Sequence, residues 1–302
     1  MKRLGVKTML AVLAMATGST VLAQTAARPA RSAPGAVVEA VQMPAWLERD
    51  GAKIPLSPGM VLKEHDQLRT GANSRLLLKT ADGSGVKLGE KALFVIDSMP
   101  VRQDNVFQAA MKVSAGAFRF TTELLARYSG KREVSITILN VTAGIRGTDL
   151  WGKSAPERQI LCLIDGKIEV TPPGESAIPM DSRLYFYVRD KGVSQPIAPV
   201  PLDQLTQWSE ETEVQPGQGV ATRGGKWKLT LAGPGSLADA FKVSKAVREL
   251  GYDAGIYPEK ADSKSVYSVR LSGFATKQDA ESVAVVLKRE GRLGGNDPKI
   301  GM

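Results

Sequence analysis

The chain has 302 residues, 43% of them hydrophobic and 24% charged, enough to bury a core and a length that fits two modest domains. Forty basic against 31 acidic residues give a formal +9. Three of those charges lie in the N-terminal leader, and the remaining +6 is too thinly spread to argue for nucleic acid, while suiting an acidic polymer or anionic surface as a loose partner.

Residues 1–23, "MKRLGVKTMLAVLAMATGSTVLA", start with Lys2, Arg3 and Lys7, continue through a short apolar run and end on small residues. That layout predicts a secretory signal peptide cleaved after Ala23, hence export to the periplasm as a soluble protein. The apolar run Met9–Ala16 falls far short of the roughly 20 residues of a membrane-spanning helix, so no stable membrane insertion is expected. Gln24 also stands where a lipoprotein would need cysteine. Residues 24–36 read as a mobile Ala/Pro/Arg tether.

From 37 to 211 the pattern becomes many short β-type runs punctuated by glycine, an all-β domain built as a sandwich or as stacked short strands. Asp82-Gly83 and Asp165-Gly166 lie between apolar runs, as hairpins or tight corners require. Thr121–Ser129 is briefly helical in pattern, and a short helix near Leu202–Glu211 closes the domain. The lone Cys162, within "ILCLI", reads as a small buried hydrophobe, and no disulfide can form inside the chain. Residues 212–225, "TEVQPGQGVATRGG", read as a linker.

No catalytic set emerges. His65 has no second imidazole or cysteine nearby, so neither a metal nor another cofactor is expected. There is no G-x-S-x-G elbow, and in "RGGKW" Trp227 replaces the Ser/Thr of a phosphate loop. Glu210, Glu211 and Glu213 read as a solvated acidic run. The expectation is a protein that is not an enzyme.

In "TAGIRGTDLWG" (Thr142–Gly152), Gly144 and Gly147 can adopt backbone angles closed to other residues, and Thr148 or Asp149 can bond back to nearby amides. A sharp corner between strands follows, with Arg146 able to reach an anion. This segment resembles the A-G-[IV]-R-G-T stretch of the FecR domain family. "LRTGANSRLLLKTADGSGVKLGE", "SAGAFRFTT" and "LIDGKIEV" are similar to that family in the same order, over about residues 50–175. The resemblance implies a module for interaction or sensing. In FecR proteins that role is relay from outer-membrane iron transporters to a sigma factor. An alternative reading is therefore a periplasmic regulator of FecR type contacting an envelope membrane protein.

Residues 226–302 contain a repeat at an offset of 40. Trp227, Leu229 and Leu231 fall on Tyr267, Val269 and Leu271, and Gly251 falls on Gly291. Each half is a strand followed by a helix. Ser236 with Asp239, and Thr276 with Asp279, can form N-terminal caps worth about 1 kcal/mol each. Gly251 and Gly291 stand where a left-handed residue ends a helix. One further strand in "YDAGIY", adjacent to "KSVYSVRLSGF", and a short final one near Lys299–Ile300 complete the unit, with both helices on one face of the sheet.

"WKLTLAGP" and "YSVRLSGF" resemble the two halves of a SPOR domain over about residues 225–300. The resemblance implies a small α+β fold of the RNP-like βαββαβ type that binds peptidoglycan, in particular glycan strands stripped of their stem peptides, as at division septa. Alternation places Lys228, Thr230, Ser268 and Arg270 on the open face as candidate glycan-binding residues. Thr230 and Ser268 depart from the family pattern, while Arg270 keeps it. Trp227 and Tyr267 have the inward parity, which argues against base stacking on RNA.

Overall fold

A computed structural model describes residues 35–103, 106–123, 131–261, 264–293 and 297–302. The signal peptide, nearly all of the tether, and most of the brief helix expected over Thr121–Ser129 lie outside the described residues. Residues from Ala33 onward form a single compact unit.

The first strands are β1 (Ala36–Gln42), β2 (Ala45–Arg49), β3 (Ala52–Pro55), β4 (Val61–Leu62), β5 (Gln67–Thr70), β6 (Arg75–Thr80), β7 (Gly85–Leu88) and β8 (Leu93–Gln103). Three long strands follow, β9 (Val106–Thr121), β11 (Val141–Ala155) and β12 (Arg158–Thr171), with the shorter β10 (Lys131–Ile138) between the first two. The long strands each serve two neighbourhoods. The first half of β9 pairs with β8 and β10, and its second half with β7 and β11. Side chains from both series, among them Val38, Leu47, Leu76, Phe94, Phe118, Ile136 and Leu163, share one core.

β13 (Ile178–Met180), β14 (Tyr185–Asp190), β15 (Val193–Ser194) and β16 (Ala198–Pro199) extend the β12 edge, and helix α1 (Leu202–Glu210) closes over it. Strand β12 is apolar on both sides for this reason. Leu161 and Leu163 belong to the main core, whereas Ile160 and Cys162 pack beneath α1 in a second cluster. There Trp208 stacks on Trp151 with ring centroids 4.6 Å apart and planes 8° from parallel. The acidic run beside Trp208 is not a freely solvated surface. Glu211 pairs with Lys153 at 2.9 Å, and Glu213 reaches Lys87 and Arg119, so the carboxylates fix the end of α1 onto the sheet.

The asparate-glycine turn at Asp82-Gly83 does join β6 to β7. Asp165-Gly166 does not make a hairpin. It lies inside β12, opposite Gly147 of β11, where the register slips between Arg146 and Asp149. The expected corner in "TAGIRGTD" is likewise a bulge in one continuous strand. Up to Ile145, β11 pairs with β10, and from Asp149 it pairs with β9. Gly147 (φ 64°) and Gly166 (φ 96°) allow this transfer, since a Cβ on Gly166 would stand 2.5 Å from the Gly147 carbonyl oxygen.

The repeat gives strand β18 (Trp227–Gly235), helix α2 (Leu237–Glu249), β19 (Gly255–Ala261), β20 (Lys264–Phe274), helix α3 (Lys277–Arg289) and β21 (Lys299–Gly301). The sheet order is β21-β18-β20-β19, antiparallel throughout. Ala240 and Val247 of α2 and Ala280, Val283, Ala284 and Leu287 of α3 bury against Leu229, Leu231, Val269 and Leu271. Both N-caps form as read, the second as a full capping box. Gly251 (φ 87°) and Gly291 (φ 66°) stand one residue beyond the two C-caps.

The segment read as a linker is instead built into the fold. Its strand β17 (Val220–Thr222) pairs with β1 on one side and with β20 on the other. The physical reason is Asp279, the third residue of α3, which is fully buried. Its Oδ1 accepts the amides of Gly217, Gly219 and Val220 at 2.7, 3.1 and 2.9 Å, and its Oδ2 accepts the Thr276 amide and hydroxyl at 3.0 and 2.6 Å. One carboxylate thus satisfies both a helix terminus and a turn about sixty residues away in sequence.

Candidate functional site

The face of the C-terminal sheet opposite the helices is uncovered among the described residues. Thr230 lies cross-strand from Arg270, and Lys228 from Ser272, so these four share that face. Lys228 is exposed; Thr230 and Arg270 are half-buried. Lys299 of β21 stands opposite Thr230 and adds a second exposed cation.

Ser268 has the outward parity but is fully buried, so it is not on the accessible surface. Its cross-strand partner is Tyr257, a bulky neighbour that presents 39% of its own surface to solvent. Tyr257 is the aromatic of this face that the alternation of Trp227 and Tyr267 does not reveal. Counting by twos along "GIYPEKA" from Gly255 finds it, together with Glu259. The Arg270 guanidinium carbon lies 5.3 Å from the Tyr257 ring centroid, and its other side pairs with Glu259. Arg270 is therefore already partnered within the chain. The neighbouring Ser268 hydroxyl and then the Arg270 guanidinium hold the Glu259 carboxyl below its usual range.

The other candidate residues form a separate, internal constellation. Gly144 and Gly147 lie in β11, the side chain of Arg146 lies outside the described residues, and Thr148 and Asp149 are buried. Arg119, from "SAGAFRFTT", grips Asp149 with two bonds of 2.9 and 2.7 Å, and Thr121 adds a third at 3.2 Å. The Thr148 amide donates to the Thr122 hydroxyl at 3.1 Å. Asp149 raises the Arg119 pKa further above its ordinary value through these hydrogen bonds. The signature of one strand is thus locked to that of its neighbour.

Among the described residues no group of three or more His, Cys, Asp or Glu side chains is arranged to hold a metal ion. Burial pushes the Cys162 thiol up to about 12, which keeps it protonated and unreactive at neutral pH.

The family of FecR protein matches residues 66–169, and that of the SPOR domain matches residues 224–296. The chain carries a FecR domain followed by a SPOR domain. The bonded pair Arg119 and Asp149 falls within the first match, and the open sheet face within the second apart from Lys299. Two crystal structures, each described as that of a putative anti-sigma factor from Parabacteroides distasonis ATCC 8503, are similar to this chain at 13% identity. One match covers 67% of this chain and 97% of the other, with a TM-score of 0.36; the second covers 74% and 90%, with a TM-score of 0.39. No sequence among the curated proteins matches the chain. No helix among the described residues is long and apolar enough to cross a membrane.

Proposed function

We propose that this chain is a non-enzymatic, exported protein of the cell envelope that docks on peptidoglycan glycan strands through its SPOR domain. The FecR domain then acts as a further interaction or sensing module. The observation that carries the reading is the uncovered sheet face with Lys228, Lys299, Thr230 and Tyr257. Stripped glycan keeps a lactyl carboxylate on each muramic acid, so it presents anions and hydroxyls along one edge and C–H surface on the ring faces. Ammonium groups suit the first, a threonine hydroxyl the second, and an exposed phenol ring the third. Each exposed ion pair adds only about 0–1 kcal/mol and weakens with salt, so one module binds modestly.

Arg270 is held by Glu259 and joins only if a ligand carboxylate displaces that partner. The Gly144–Asp149 segment is proposed to be structural, because its acid is consumed by Arg119. Co-sedimentation of the full chain with amidase-treated and untreated sacculi tests the proposal. Enrichment on the treated wall, reduced by Lys228→Ala with Lys299→Ala, is expected; equal recovery from both walls refutes it. A periplasm-competent fluorescent tag then separates septal bands from a uniform rim.

The FecR match favours one second reading, in which the β module contacts an envelope membrane protein as a regulator. Site-specific crosslinking in cells from the FecR domain, with recovery of a membrane protein, tests it.

A further inference from the structure

A groove runs where the β2–β3 hairpin meets helix α2 and the start of β19, with a volume of about 970 Å³. That is the upper end of the range for sites that enclose small ligands. Its walls are apolar: Trp46, Pro55, Phe241 and Ile256 line it, and Phe241 leaves 59% of its surface exposed. Its rim is basic. Lys53 places its ammonium 4.4 Å from the centroid of the Trp46 ring, and Lys245 projects from α2. Neither lysine pairs with a carboxylate among the described residues, unlike Arg248, which is tied to Asp253. Strand β19 pairs only with β20 among the described residues, and the beginning of this edge strand borders the groove.

We propose that this groove docks an extended acidic peptide segment of a partner protein. The peptide adds to the free edge of β19, seats an apolar side chain in the space lined by Trp46 and Phe241, and sets carboxylates against Lys53 and Lys245. An unpaired strand edge supplies main-chain hydrogen bonds to an incoming strand, while alternate side-chain pockets select it. A saccharide fits less well. The hydroxyl on the wall, Ser244, already donates to the Ala254 carbonyl at 2.8 Å, Arg248 is tied to Asp253, and the walls otherwise offer apolar surface, two ammonium groups and the Glu249 carboxylate. The chain's own Gln24–Pro34 stretch is also a poor occupant, since it carries Arg28 and Arg31 and no acid. The site combines residues of both domains and is separate from the open sheet face, so either proposal can fail alone.

The test is fluorescence anisotropy of the full chain with a labelled eight-residue peptide alternating glutamate with leucine. Its lysine-for-glutamate counterpart and a version N-methylated at alternate amides serve as comparisons. Saturable binding of the acidic peptide is expected, at least tenfold weaker for Lys245→Glu and for Phe241→Ala, and lost on N-methylation. Both side chains are exposed, so circular dichroism of the variants should match the parent. Equal affinity for the lysine peptide, or affinity unmoved by both variants, overturns the proposal. Competition by soluble glycan strands would assign the groove to saccharide, and self-association abolished by Phe241→Ala would assign it to a second copy; either result also overturns it.

Discussion

Asp279→Ala tests whether the joint between the domains is part of the fold. The change removes the acceptor of three buried amides and the acid of the α3 capping box. Leaving one buried amide unsatisfied costs about 1–3 kcal/mol, so three at the low end come to about 3 kcal/mol. The lost reciprocal bond from the Thr276 amide adds about 1 kcal/mol. Together they predict about 4 kcal/mol, a fall in melting temperature on the order of 8 °C for a chain of this size. Thr276→Ala loses the cap alone and should cost about 1 kcal/mol. Asp279→Asn should lie close to it, because the amide oxygen still accepts the three Gly217, Gly219 and Val220 donors. Urea unfolding of the full chain measures the series, and hydrogen exchange at those three amides provides a local readout. If Asp279→Ala costs no more than Thr276→Ala, or those amides exchange equally fast in the parent, the joint is not held as described.

Three shorter predictions follow from other contacts. Gly251→Ala and Gly291→Ala both force alanine into left-handed backbone, at about 1 kcal/mol. At Gly251 the new Cβ also meets the Trp46 ring at 2.6 Å, which adds about 1–3 kcal/mol of overpacking, whereas Gly291 has open space; equal melting temperatures would contradict the Trp46 contact. Cys162 should resist a thiol reagent at pH 8 in the native chain and react on unfolding in urea, and rapid native labelling would show the second core to be open. The Glu259 carboxyl has a depressed pKa, so its contribution is present above the ordinary carboxylate pKa and lost as pH falls through the folded value. The Arg270 guanidinium Nε–H resonance should therefore be constant at neutral pH and shift on acidification below that range, and Glu259→Gln should abolish the shift.

The C-terminal domain was largely legible in the sequence because its signals are local. Caps lie three residues apart, glycines end helices, and Leu229, Leu231, Val269 and Leu271 repeat with the strand period. Even the short β21 was visible at Lys299–Ile300. What escaped depended on partners far along the chain. A glycine permits both a corner and a bulge, and only the transfer of β11 from β10 to β9 makes Gly147 a bulge. "VQPGQGV" has the composition of a flexible connector, yet one buried acid about sixty residues later fixes it. Glu211 and Glu213 look solvated until Lys153, Lys87 and Arg119 are placed beside them. On the open face, parity was correct for Ser268 and accessibility was not, since alternation gives the direction of a side chain and not the size of its cross-strand neighbour, Tyr257.

The seating of β17 between β1 and β20 has a consequence for how the molecule would meet a surface. On a loose tether, a second module samples every direction and a partner must wait for the right one. Here a glycan strand lying across the SPOR sheet would fix the azimuth of the FecR domain as well, so every anchored copy would present the same flank. Such shared orientation raises the local encounter frequency for one flank and suppresses it for the rest.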